Sequence, residues 1–176
     1  MNSKNKERSI VVTGTSGFIG FHLANALLDK SIPVIGIDNL NSYYDVELKK
    51  AREKNLLDKS NKINVPFESH RINIENMSEL NMIFSGESCR IDYFKRNRPT
   101  EVVNLAAQAG VRYSLENPAA YIQSNLDGFI NILECSRNYK IKHLIYASSS
   151  SVYGGNTSLP FKEENSVDHP VSIYAA

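Results

Sequence analysis

The segment TGTSGFIG, Thr13 to Gly20, constrains the fold more than any other stretch of these 176 residues. Gly14, Gly17 and Gly20 recur at three-residue intervals within it. The β-branched run SIVVTG (Ser9 to Gly14) leads into it and reads as a short buried strand. GFIGFHLANALLDK follows, with Ile19, Leu23, Ala26 and Leu27 at helical spacing. Glycine at the strand end permits a tight turn. Glycine at the next position lets backbone N–H groups approach a phosphate with no Cβ in the way, and the third lets the helix pack closely on the sheet. The helix N-terminus then faces a pyrophosphate with unpaired N–H groups and the positive end of its dipole.

Apolar runs and helical patterns alternate along the rest of the chain. PVIGID predicts a second strand ending at Asp38, DVELKKAREKNLLDK a polar helix, KINVPFES a weak third strand and IENMSELNMIF another helix. TEVVNLAA predicts the fourth strand and HLIYASS the fifth. Between them, AAYIQSNLDGFINILECSRNY predicts a long amphipathic helix with Ile122, Leu126, Phe129, Ile130 and Leu133 on one face. VSIYAA reads as the first turn of a further helix. Strands and helices in alternation predict an α/β fold, a Rossmann-type doubly wound parallel sheet with helices on both faces. In such a sheet, ligands sit at the C-terminal ends of the strands, here Gly14, Asp38, Ala106 and Ser148. Asp38 stands close to the spacing of an acid that accepts hydrogen bonds from an adenosine ribose. A carboxylate there repels a 2′-phosphate, and Asn39 rather than arginine follows it, so NAD is expected over NADP.

Composition removes several classes of partner. A net charge of +1 gives no overall pull toward nucleic acid or an anionic membrane. The basic stretch KKAREK is interleaved with acids on a predicted helix and reads as a solvated charged face. No apolar run is long enough to span a bilayer. The polar start MNSKNKERSI lacks the apolar stretch of a secretory signal. Cys89 and Cys135 stand far apart and read as reduced thiols, pointing to a cytoplasmic protein. His22, His70, His143 and His169 show no metal-ligand spacing, so no metal is expected.

The Gly-x-x-Gly-x-x-Gly loop, NLAAQAGVRYS, SSSSVYG and Tyr174, in that order, resemble the extended short-chain dehydrogenase/reductases, the NAD-dependent epimerase/dehydratase family of nucleotide-sugar enzymes. GIDNLNSYYDVELKKAR and AAQAGVRYSLENPAAYIQSNLDGF are similar to the UDP-glucuronate 4-epimerases within it. The resemblance runs from about Ile10 to Ala176. It implies reversible oxidation at the sugar C4 with NAD, rotation of a 4-keto sugar, and return of hydride to the other face, interconverting UDP-glucuronate and UDP-galacturonate. By position it implies Tyr174 as the base and Ser149 as the catalytic hydroxyl. Ser150, Ser151 and Arg112 fall where a uronate could be held. Gly14, Gly17, Phe18, Ile19, Gly20, Asp38, Asn39, Asn73, Ile74, Ala106, Ala107, Asn125 and Tyr174 fall at cofactor positions. A homodimer is implied, built on the long helix and the helix begun at Tyr174.

The chain also departs from the family pattern. RINIEN puts Asn73 where the family has an aspartate beside adenine, which is expected to weaken cofactor binding. FSGESCRIDYFKRNRP (Phe84 to Pro99) is longer than the family needs between helix and strand. Serines stand where sugar 4,6-dehydratases carry Thr-Asp-Glu, which argues against dehydration. After Tyr174 only Ala175 and Ala176 follow, so the lysine of the Tyr-x-x-x-Lys motif is not among these residues. Residues 1–176 are therefore expected to be an incomplete NAD-binding domain, without the sugar-nucleotide domain and inactive alone. The stripe Ile122, Leu126, Phe129 and Leu133 is expected to be partly uncovered. Two other readings remain: a non-catalytic NAD-binding module, and an epimerase of another nucleotide sugar such as UDP-glucose.

Overall fold

A computed structural model describes residues 8–176. The polar opening read above as lacking a signal, residues 1–7, lies outside the described residues. The sheet is built from β1 (Ile10–Thr13), β2 (Val34–Ile37), β3 (Phe67–His70), β4 (Glu101–Asn104) and β5 (His143–Tyr146). All neighbours run parallel, in the order β3-β2-β1-β4-β5. The direction of winding switches between β1 and β4, and this switch opens a crevice at the C-terminal strand ends.

Side-chain alternation along the strands sorts the core into two layers. Ile10, Val12, Val34 and Phe67 pack with Ala24 and Leu28 of α1 (Phe18–Asp29) and Leu56 of α2 (Val46–Ile63). Val11, Ile35, Ile37 and Val102 pack on the other face with Leu80, Ile83 and Phe84 of α3 (Met77–Ser85) and Phe94 of α4 (Asp92–Arg96). Ile132 and Cys135 of α7 (Gly128–Asn138) complete that layer. The expected fold class is therefore the observed one. Local chemistry sets the helix ends. Asp45 caps α2 by accepting from Glu47 N and Leu48 N, and Asn76 caps α3 by accepting from Glu79 N. Asn64 ends α2 in the left-handed conformation, so Lys62 and Ile63 belong to the helix and the third strand begins only at Phe67.

Two inward faces differ from the sequence reading. In α1 the buried stripe is Gly20, Ala24 and Leu28, while Ile19 and Ala26 face outward. The loop geometry fixes this rotation, because Gly20 must be the residue that meets Gly14. The long helix runs from α6 (Pro118–Tyr121) through a six-residue π-helical turn (Ile122–Asp127) into α7. Its inward residues are Tyr121, Gly128, Ile132 and Cys135. Gly128 takes the point where the helix lies closest on the loop after β3. A Cβ on Gly128 would stand 2.5 Å from Ile74 Cγ1. Ile122, Leu126, Ile130 and Leu133 face outward. VSIYAA closes as a single turn, with the N–H groups of Ala175 and Ala176 donating to Ser172 O.

Candidate functional site

A cleft of about 310 Å³ opens at the C-terminal strand ends. Its floor is the glycine loop. Gly14 has a positive φ of 70°, which a side chain resists, and its N–H donates to Ile37 O. A Cβ on Gly20 would overlap Gly14 O, so only glycine lets α1 begin this close to β1. Gly17 is the N-cap of α1 and gives it no side-chain cap, in contrast to Asp45 of α2 and Asn76 of α3. The first turn of α1 therefore keeps its donors for whatever enters the cleft.

Asp38 stands at the end of β2 and is buried. One carboxylate oxygen accepts from Ser16 N (3.0 Å) in the glycine loop and the other from Leu40 N (2.9 Å). The acid thus fixes the loop, and each oxygen retains a lone pair for a ribose hydroxyl. Gly14, Gly17, Phe18, Ile19, Gly20, Asp38, Asn39, Ile74, Ala106 and Ala107 all line this one cleft. The loop after β4 begins with Leu105 and Ala106, whose N–H groups both donate to Thr13 Oγ1 (3.0 and 2.9 Å). That pair of bonds brings the backbone of the fourth strand end against Gly14.

Other candidates stand around the rim. Asn73 lies in an adjoining groove and accepts from Asn39 Nδ2 at 2.9 Å. Asn125, inside the π-helical turn, accepts from Gln108 N (2.8 Å) and donates to Gln108 O (3.0 Å). It clamps the loop that lines the cleft and does not line it itself. Ser149 caps a short 3₁₀ turn (Ser150–Tyr153) by accepting from Ser151 N. Ala147, two residues earlier, is a cleft residue, so the serine turn starts at the cleft mouth. Tyr174 packs edge-on against Tyr121, with ring centroids 5.8 Å apart. Tyr121 in turn donates to Ala109 O (2.8 Å), and Ala109 lines the cleft. Arg112 is exposed on α5 (Val111–Glu116). Ser149, Ser150, Ser151, Arg112 and Tyr174 are thus not among the cleft residues themselves.

Several cleft residues went unnoticed in the sequence: Asn41, Tyr43, Tyr44, Lys49, Glu75, Gln108 and Ser124. Tyr43 and Tyr44 come from the loop after Asp38, and Tyr43 also packs against Tyr113 (5.0 Å). Burial raises the Tyr43 hydroxyl above its ordinary pKa, which keeps it neutral. Lys49 is the clearest correction, because KKAREK is not a solvated face throughout. Lys49 and Glu53 are buried. Lys49 Nζ donates to Asn41 O (2.9 Å) and Asn41 Oδ1 (3.0 Å), holding the tyrosine loop over the cleft. The available signal was the inward stripe Lys49, Glu53, Leu56 and Ser60, which recurs at helical spacing.

Known proteins share this sequence pattern and this fold. Residues 11–176 match the family model described as GDP-mannose 4,6 dehydratase. Protein CapI of Staphylococcus aureus is 52% identical over 167 residues, covering 95% of this chain and 45% of CapI. UDP-glucuronate 4-epimerase 4 of Arabidopsis thaliana is 42% identical over 175 residues, covering 99% of this chain and 36% of that protein. A tyrosine-to-phenylalanine mutant of UDP-glucuronic acid 4-epimerase from Bacillus cereus, solved with UDP-4-deoxy-4-fluoro-glucuronic acid and NAD, superposes with a TM-score of 0.78 at 30% identity. That match covers 95% of this chain and 48% of the solved one. The chain thus spans less than half the length of these relatives. Matched over nearly all of its own length, it belongs to the family described as GDP-mannose 4,6 dehydratase.

Proposed function

We propose that these residues are the NAD-binding portion of a UDP-sugar 4-epimerase that acts on UDP-glucuronate, with the sugar-nucleotide-binding portion carried by further residues. One observation carries the reading. The uncapped N-terminus of α1, the acid ending β2 and the close-packed Ala106–Ala107 backbone meet in a single cleft. This set fits NAD. The first-turn N–H groups of α1 hold the diphosphate, Asp38 the adenosine ribose, and Asn39, Asn73 and Ile74 the adenine side. Bound there, NAD supplies a reversible two-electron acceptor for C4. Tyr174 takes the proton of the sugar 4-hydroxyl, and Ser149 hydrogen-bonds the same oxygen. Ser150, Ser151 and Arg112 hold the uronate carboxylate, and serines in place of an acid–base pair leave C5 and C6 without the groups that water loss needs. Asn125 keeps the cleft wall in place. The family homodimer is part of the proposal.

The native protein isolated from its own cells is the test material. Its intact mass and its conversion of UDP-glucuronate with added NAD are measured together, with UDP-glucose as the competing substrate. A mass well above 19.7 kDa with selective inversion of UDP-glucuronate supports the reading. Selective inversion of UDP-glucose moves the substrate assignment. A mass of 19.7 kDa with NAD binding and no turnover leaves a binding module. Of the chain alone, NAD binding weaker than micromolar and no turnover are expected.

A further inference from the structure

We propose that Glu68, His70 and Cys89 form a binding site for a divalent transition-metal cation of the zinc class, separate from the cleft. Glu68 and His70 are two apart on β3, so both project from the same face of the strand. The other face carries Phe67 and Ser69 toward α2, where Ser69 donates to Glu53. Cys89 approaches the Glu68–His70 face from the long segment between α3 and β4, the stretch for which the sequence offers no function. One donor atom from each of the three residues lies within 4.8 Å of the other two. Glu68 and Cys89 are buried, and the His70 side chain is 10% exposed.

A second observation points to a ligand. His70 Nε2 is buried and makes no hydrogen bond. It approaches Glu68 Oε1 at 3.2 Å but without hydrogen-bond alignment. A buried imidazole nitrogen left in this state is costly unless something binds it. Neutral imidazole, carboxylate and thiolate together are the donor set zinc takes, and three protein ligands leave one position for water. Glu68 is positioned for the task by the backbone, since its two oxygens accept from Arg90 N (2.8 Å) and Ile91 N (2.9 Å). Arg90 Nε also stands 3.4 Å from Oε1 and its Nη2 donates to Ser69 O (2.9 Å), on a side chain 75% exposed that a cation at Glu68 has to displace. Binding breaks the Cys89 S–H bond, and the proton leaves to solvent as the metal–sulfur bond forms. No electron transfer is involved. Histidine and cysteine spacing gave no hint of such a site, because strand pairing and the turn at Gly86 bring the three residues together.

The chain, freed of metal by a chelator, is titrated with Co²⁺ alone and the thiolate-to-cobalt charge-transfer band is read. The band is expected to saturate at a single equivalent, to bleach when Zn²⁺ is added, and to persist in Cys135→Ser. It is lost in Cys89→Ser, and affinity falls roughly tenfold or more in His70→Ala. Circular dichroism checks that each variant is folded. The unsubstituted chain decides independently, because Zn²⁺ must raise its melting temperature if the native state binds the ion. Absence of a thiolate band together with an unmoved melting temperature overturns the proposal. So does a band that survives Cys89→Ser.

Discussion

At the scale of single residues, the glycine loop allows no substitution at Gly20. The clash of an added Cβ is with the carbonyl of Gly14, which is backbone and cannot rotate away. Gly20→Ala should cost about 3 kcal/mol or more, at or beyond the top of the overpacking range. Urea denaturation reads this as a lower midpoint at unchanged slope. Glu53 offers a test with a pH sign. Burial pushes its carboxyl up, and hydrogen bonds from Arg71 and Ser69 more than reverse this, so it sits below its ordinary range. A lowered folded-state value means the pair stabilises the protein above the ordinary carboxylate range. That contribution is lost as pH falls through the lowered value. In Arg71→Ala only the Ser69 hydrogen bond and the charge of Arg90 remain against burial, so the lowering shrinks. The variant should be about 1–3 kcal/mol less stable at neutral pH, and the gap should close on acidification. An equal gap at neutral and acid pH argues against the pairing. Cys135 titrates in the opposite direction. Burial first, with Glu134 adding to it, pushes its thiol up to about 11. Iodoacetamide at mildly alkaline pH should therefore leave it unmodified in the native chain and alkylate it once urea unfolds the fold.

At the scale of elements, the π-helical turn is the part that sequence periodicity could not show. A wide turn takes more residues than an α turn, so a face drawn at α spacing through Ile122–Asp127 loses its register. The turn places Asn125 against Gln108 and Ser124 against Glu75, while Asn131 donates to Ile74 O and Glu75 O. One helix thereby ties together the loops after β3 and β4, both of which line the cleft. Asn125→Ala should free Gln108, and amide exchange at Gln108 should accelerate while exchange in β1 stays unchanged. Most of the strands, by contrast, were legible because they are short apolar runs bounded by turn residues, whereas FESH of β3 keeps only Phe67 as an apolar signal and so read as a weak strand begun too early. The glycine loop and Asp38 were legible because steric necessity leaves few alternatives there. Lys49 and the tyrosine loop were not, since a lysine or tyrosine in a polar stretch carries no sign of which way it faces. The 84–99 segment gained a structural account only from tertiary contact, where Glu68 accepts from Arg90 N and Ile91 N and so holds the two residues just ahead of α4.

For the whole molecule, the two faces of the sheet are not equally covered. β1 and β2 are buried on both sides, but β5 is largely exposed, with Ile145 at 48%. Register explains the difference. Ile145 pairs with Val103, on the face covered by α1 and α2, and among the described residues no helix reaches across to β5 on that side. The outward stripe of the long helix adds Ile122, Leu126, Ile130 and Leu133, with Leu126 at 53% and Ile130 at 55% exposed. Apolar surface spread over a strand and a helix in this way favours association with whatever apolar surface is available. With a net charge of only +1, little electrostatic repulsion opposes contact between copies. The 176-residue chain should therefore self-associate as its concentration rises, and sedimentation velocity should show the weight-average coefficient climbing. Leu126→Glu with Ile130→Glu removes two outward side chains without touching the inward face of Gly128, Ile132 and Cys135. The double variant should sediment as a monomer over the same range with an unchanged circular dichroism spectrum. If the unsubstituted chain already sediments as a monomer throughout, the stripe is not adhesive. If the double variant associates equally, the exposed side of β5 is the contact surface instead.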